Sequence, residues 1–180
     1  FRRYYAELRF SPRPVSIVSV RKFSFEESLD YTTDGAGMLE TRLQQGLFSV
    51  EMQNGDWFFA GVTDSYESLK NVFDITPEIT IPVGSYSSVN TKVVYALGMQ
   101  GVVSGGLAFD HGGFFGGERT GLGYTCARVN FSPQLSVEPT QSLNWIDLPQ
   151  GKVSTELVSA RTTYTLTPRM FVAALMQYNS

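Results

Sequence analysis

The chain has one cysteine, Cys126, and one histidine, His111, in 180 residues. A single thiol excludes an intramolecular disulfide framework and a cysteine-based zinc cluster. A single imidazole excludes any site that needs two. Charge is also scarce, at 17% of residues against the usual quarter. The net charge of −3 supplies no phosphate-neutralising surface, which argues against a nucleic-acid partner. Disorder is excluded by the opposite deficit, because 42% of the residues are hydrophobic. Long apolar runs are missing too. A membrane helix needs about 20 such residues in a row, and the longest runs here are 93–99 and 170–176. The uncharged stretch 93–109 is broken by Gly98, Gln100, Gly101, Ser104, Gly105 and Gly106, which makes a helix there unfavourable. The opening Phe-Arg-Arg-Tyr-Tyr has no signal-peptide pattern, so the expectation is a mature form or an internal segment.

What the sequence has is a period of two. Leu135, Val137, Gln141, Leu143 and Trp145 alternate with Ser136, Glu138, Thr140, Ser142 and Asn144. Val158, Ala160, Thr162, Tyr164 and Leu166 alternate with Ser159, Arg161, Thr163 and Thr165, and Tyr4, Ala6, Leu8 and Phe10 with Tyr5, Glu7 and Arg9. Each such run is a strand with one apolar and one polar face. The pattern predicts about ten strands, at 2–10, 17–31, 38–53, 57–66, 85–97, 102–110, 118–131, 135–146, 153–166 and 170–178. In the third, the apolar parity shifts near Gly46, which predicts a bulge or a change of twist. Trp57 and Phe59 place aromatics on the polar parity.

Between the strands, short turns are expected at 11–14, 54–56, 98–101, 132–134 and 167–169. Asn54-Gly55 is a strong hairpin signal, since both residues tolerate positive φ. Longer connections are expected at 32–37, 67–84, 111–117 and 147–152. The longest, with Ile75, Ile79 and Ile81 alternating, predicts a hairpin rather than a free loop. A strict short–long alternation is the habit of a membrane-spanning up-and-down barrel, with short periplasmic turns and longer external loops. Ten residues at about 3.3 Å each, tilted near 45°, rise roughly 23 Å, close to the apolar band of about 25 Å. The fold class expected is therefore all-β, an antiparallel transmembrane β-barrel, with 1–180 as one domain that is incomplete at both ends. Phe10, Tyr31, Tyr66, Tyr86, Phe109, Phe131, Trp145, Tyr164 and Tyr178 would form its aromatic girdles.

Five phrases follow one another along the chain: Asp30-Tyr-Thr-Thr-Asp-Gly35, Gln53-Asn-Gly-Asp56, Ile81-Pro-Val-Gly-Ser-Tyr86, Gly112-Gly-Phe-Phe-Gly-Gly-Glu-Arg119 and Tyr164-Thr-Leu-Thr-Pro-Arg-Met-Phe171. In this order and rough spacing they resemble the C-terminal part of a bacterial family of unknown function. Its members are labelled carbohydrate-binding-domain-containing or membrane-associated hydrolase proteins. The resemblance covers most of the chain. It implies an outer-membrane location, a lipid-bilayer partner, further strands after Ser180, and a sugar-binding-like domain before Phe1. It carries over no catalytic residue and no cofactor.

The residues themselves offer little chemistry. Asp110-His111 is the one acid–imidazole neighbour pair, but adjacent residues of a strand point to opposite faces, which disfavours catalysis there. The run 111–117 is glycine-rich and lacks the Lys-Ser/Thr of a phosphate loop. It reads as an external loop in which Phe114 and Phe115 are available for contact. Cys126 reads as an inert thiol. The expected lumen-lining set is Glu7, Arg9, Lys22, Glu26, Glu51, Lys92, Arg128, Glu138, Glu156 and Arg161, lining a pore or pairing across it. The leading expectation is a non-enzymatic barrel that transports for, or anchors, the absent N-terminal domain. The alternatives are a structural subunit of a cell-envelope complex and a soluble barrel enclosing a small apolar ligand.

Overall fold

The computed structural model describes the backbone of residues 1–180 and all side chains except those of Thr125 and Cys126. The expectation for the Cys126 thiol lies outside the described residues. Twelve strands follow one another: β1 (Arg2–Phe10), β2 (Val20–Thr33), β3 (Leu39–Met52), β4 (Trp57–Leu69), β5 (Phe73–Thr76), β6 (Ile79–Ile81), β7 (Gly84–Leu97), β8 (Val103–Phe114), β9 (Gly117–Asn130), β10 (Leu135–Leu148), β11 (Gly151–Thr167) and β12 (Met170–Asn179). Ten form one antiparallel meander in the order β1-β2-β3-β4-β7-β8-β9-β10-β11-β12, and β5 with β6 makes the separate hairpin expected inside 67–84. β1 and β12 each pair on one side only, so the meander has two open edges.

The register keeps the two parities apart. On one face Phe10, Phe25 and Phe48 are successive cross-strand partners, as are Phe58, Tyr95, Leu107 and Tyr124. On the other face Arg9 opposes Glu26, Thr63 opposes Asn90, and Glu138 opposes Arg161. Exposure is the reverse of a water-soluble sheet. The apolar parity is the open one, with Phe25, Leu107, Phe109, Leu122, Tyr124, Trp145 and Tyr164 all exposed. The sheltered positions include Ser24, Ser104 and Ser136, at 1%, 4% and 6% exposure. Among the described residues, burial of apolar side chains is confined to Val50, Val94 and a small cluster at one end of the sheet. There Ile79 and Ile81 of the hairpin pack on Leu148, with Tyr86, Phe114, Phe115 and Ile146 around them.

Several expectations are corrected. The connections do not alternate in length. Phe115-Gly116 alone joins β8 to β9, Pro149-Gln150 alone joins β10 to β11, and the supposedly short first connection occupies 11–19. The glycine-rich run 111–117 is strand on both sides of the Phe115-Gly116 turn rather than a loop, because its glycines permit close backbone approach. A Cβ at Gly112 would run into the Val89 carbonyl, and one at Gly117 into the Asp147 carbonyl. β4, β8, β10 and β11 are longer than expected, β2 and β3 are slightly shorter, and β3 through Gly46 is regular. Gly46 is opposed by Glu27 on one side and by Val62 on the other with no slip, so the parity shift in the sequence is a change of side chain, not of backbone. The one strand-interior proline, Pro139, marks a different interruption. The β9–β10 register breaks between Val137 and Ser142, where an N–H donor is missing.

Candidate functional site

The polar face is built by alternation alone, and its charges find each other across neighbouring strands. Arg9 meets Glu26 at 3.0 Å and Lys22 meets Glu51 at 2.6 Å. Arg3 clasps Asp30 through both Nε and Nη2, and Arg119 meets Asp110 at 2.8 Å. The Tyr5 hydroxyl donates to Glu7 at 2.6 Å. Arg128 lies 3.9 Å from Glu138 and donates to the Ser136 hydroxyl at 3.3 Å. Lys92 and Arg161 are the expected lumen cations that have no carboxylate within 4.0 Å among the described residues. One member of the expected set is misplaced. Glu156 opposes Leu143 and accepts from Gln141 at 3.3 Å, which puts it on the apolar face. It shares its parity with Val158, so the alternation itself carried that signal. Tyr86, expected in a girdle, is likewise on the polar face, opposite Glu67.

Toward the hairpin end the polar face holds a cleft of about 500 Å³, walled by side chains from β2 to β9. Its floor is hydroxyl and amide: Ser65 and Ser88 share a hydrogen bond of 2.7 Å, and Asn90 donates to Ser88 at 3.2 Å. Its rim is aromatic. Phe115 stands edge-on to Tyr86 and to Phe114, with centroids 5.3 and 4.8 Å apart, and the Arg119 guanidinium lies 5.8 Å from the Phe114 ring centre. Phe115 has φ 45° and the following Gly116 φ 84°, a two-residue turn with both residues left-handed. Phe114 and Phe115, expected as external contacts, therefore serve first as the seat of the hairpin.

Asp110 and His111 point to opposite faces. His111 shares a 2.9 Å hydrogen bond with Thr120 on the apolar side, while Asp110 holds Arg119 on the polar side. The pair forms no dyad. At the other end, Asp56 joins two turns. It accepts from the Gly98 N–H at 2.8 Å, the Tyr95 hydroxyl at 2.9 Å and the Asn54 amide at 2.9 Å. These donors, the Gly98 N–H foremost, hold its carboxyl below the usual aspartate range. Asp34, in the β2–β3 connection, is lowered the same way, chiefly by the Met38 N–H. No group of three or more metal-ligating side chains occurs among the described residues. Compared with protein-family models, curated proteins and solved structures, the chain matches none.

Proposed function

We propose that this chain is the barrel region of an outer-membrane-type protein, serving as a passage or an anchor rather than as an enzyme. The observation that carries the reading is the inverted exposure of the two faces, apolar open and polar sheltered. Water penalises that arrangement and a bilayer rewards it. Three further features agree. The meander has ten strands, so β1 and β12 run antiparallel and are able to pair directly or through an even number of added strands. Closure removes the free backbone groups of both edges, which hydrocarbon does not tolerate. The strands are also long enough. Fourteen residues, as in β2 and β3, rise about 33 Å at 45° tilt, more than the apolar band of about 25 Å.

The paired charges of the polar face favour an anchoring or plugged barrel over a wide pore, with Lys92 and Arg161 the members of the expected lumen set that have no carboxylate within 4.0 Å among the described residues. A soluble barrel around an apolar ligand needs the apolar parity inward, opposite to the exposure found. The interaction reading keeps one observation of its own: Glu27, Arg42, Gln44 and Asp64 interrupt the apolar face, where lipid is a poor neighbour.

The test is migration in SDS of the full-length protein from an outer-membrane fraction, with and without boiling. A closed barrel resists unheated detergent and migrates differently from its boiled form. A protein that shows no shift and stays soluble without detergent would overturn the proposal.

A further inference from the structure

The interruption of the apolar face has a self-matching pattern. Between β3 and β4 the register pairs Arg42 with Tyr66, Gln44 with Asp64, Gly46 with Val62, and Phe48 with Ala60. These residues all share the apolar face. By residue type each pair matches a cation with a ring, an amide with a carboxylate, a glycine with a branched side chain and a phenyl with a methyl, while within the chain the Gln44 amide donates to Glu27 at 3.3 Å. Arg42 Nη2 holds Asp64 at 2.9 Å, yet Arg42 Nε is buried without a hydrogen-bond partner. Next to these charges, Gly46, Ala60 and Gly61 floor a groove of about 680 Å³, flanked by Phe25, Phe48 and Val62. Phe25 and Val62 are 47% and 48% exposed.

A twofold axis lying along the strands, between β3 and β4, sets β4 of one copy over β3 of another at the same level. Every residue then faces its own cross-strand partner in the second copy. Asp64 meets Gln44 with Arg42 beside it, Val62 enters the space over Gly46, and Phe48 enters the space over Ala60. That is the defining property of an isologous interface. Small residues that admit close approach are also what membrane-embedded contacts use. Neither lipid nor water suits this patch, since lipid penalises the charges and water the exposed rings. We infer that this face is the interface of a twofold-symmetric dimer, and that its occupant is a second copy of this chain. The inference does not rest on the membrane reading.

The test measures the mass of the folded protein in density-matched detergent by ultracentrifugation. Wild type is expected at twice the chain mass. Arg42→Asp and Asp64→Arg each set like charges across the axis and are expected to be monomeric. Mixed, the two variants are expected to form a heterodimer, captured by a tag on one of them, because opposite charges then meet only between chains. Ala60→Phe fills the receiving space without touching a charge and is expected to be a folded monomer by circular dichroism. A monomeric wild type, variants that stay dimeric, or monomeric variants that fail to pair when mixed would each overturn the dimer. A monomer that still migrates differently after boiling sinks the dimer alone, whereas a dimer soluble without detergent sinks the membrane reading alone.

Discussion

Phe115 occupies a backbone conformation that the side chain opposes. Its φ of 45° lies in the left-handed region, which costs an L-residue roughly 1–2 kcal/mol and glycine almost nothing. A turn of this kind ordinarily takes Asn or Gly at that position. The ring compensates by packing on Tyr86, Phe114 and Phe73, which seats the β5–β6 hairpin over the end of the sheet. The two contributions separate by substitution. Phe115→Ala removes the ring and keeps the strain, while Phe115→Gly removes both. The glycine variant is therefore expected to be the more stable by about 1 kcal/mol, the reverse of the usual order in a strand. Reversible denaturant unfolding of the two variants checks it. An alanine variant as stable as the glycine variant would mean that the turn relaxes instead of holding this geometry.

At the scale of elements, Asp56 ties the β3–β4 turn to the β7–β8 turn through the Gly98 N–H and the Tyr95 hydroxyl. Its carboxyl is held below the ordinary aspartate value, so the folded state binds that proton more weakly than the unfolded chain. The stability this contributes is complete above the unfolded value of about 3.9 and disappears as pH falls through the lowered folded one. The Gly98 amide resonance is expected to titrate with a midpoint below about 3.9, and Asp56→Asn to abolish that transition. A midpoint above it would exclude the carboxylate as the tie. The turn itself was legible, since Asn54-Gly55 announced it and Gly55 has φ 85°. The ten meander strands were legible for the same reason that period-two alternation is local. What the sequence hid was non-local. Gly112 and Gly117 resembled loop glycines until the neighbouring carbonyls of Val89 and Asp147 were placed beside them. The parity change at Gly46 resembled a bulge, when an unbroken register instead sets Arg42 and Gln44 on the apolar face. Following parity strictly through Gly46 would have located that patch, and following it from Val158 along β11 would have moved Glu156 off the polar face.

At the scale of the whole molecule, the question is which solvent meets the apolar face, and one substitution has effects of very different size for the two answers. Leu122 lies mid-strand in β9, opposite Phe109, and is 42% exposed on that face. In water an exposed leucine replaced by arginine changes stability by at most about 0.5 kcal/mol, and removes apolar surface from solvent. In a bilayer the same arginine sits within the hydrocarbon, where lipid-facing arginine on a barrel costs about 2–4 kcal/mol near the midplane. Leu122→Arg is therefore expected to destabilise the protein folded into lipid vesicles by that amount, measured by reversible denaturant unfolding. The companion Ser142→Arg, on the polar face of β10, is expected to change it by less than about 1 kcal/mol, because a solvated lumen accepts the charge. Equal and small effects at both positions would place water on both faces and return the sheet to the class of soluble β-proteins. A large loss at Leu122 alone fixes the inside and outside of the molecule, and it does so without needing β1 and β12 to be seen joined.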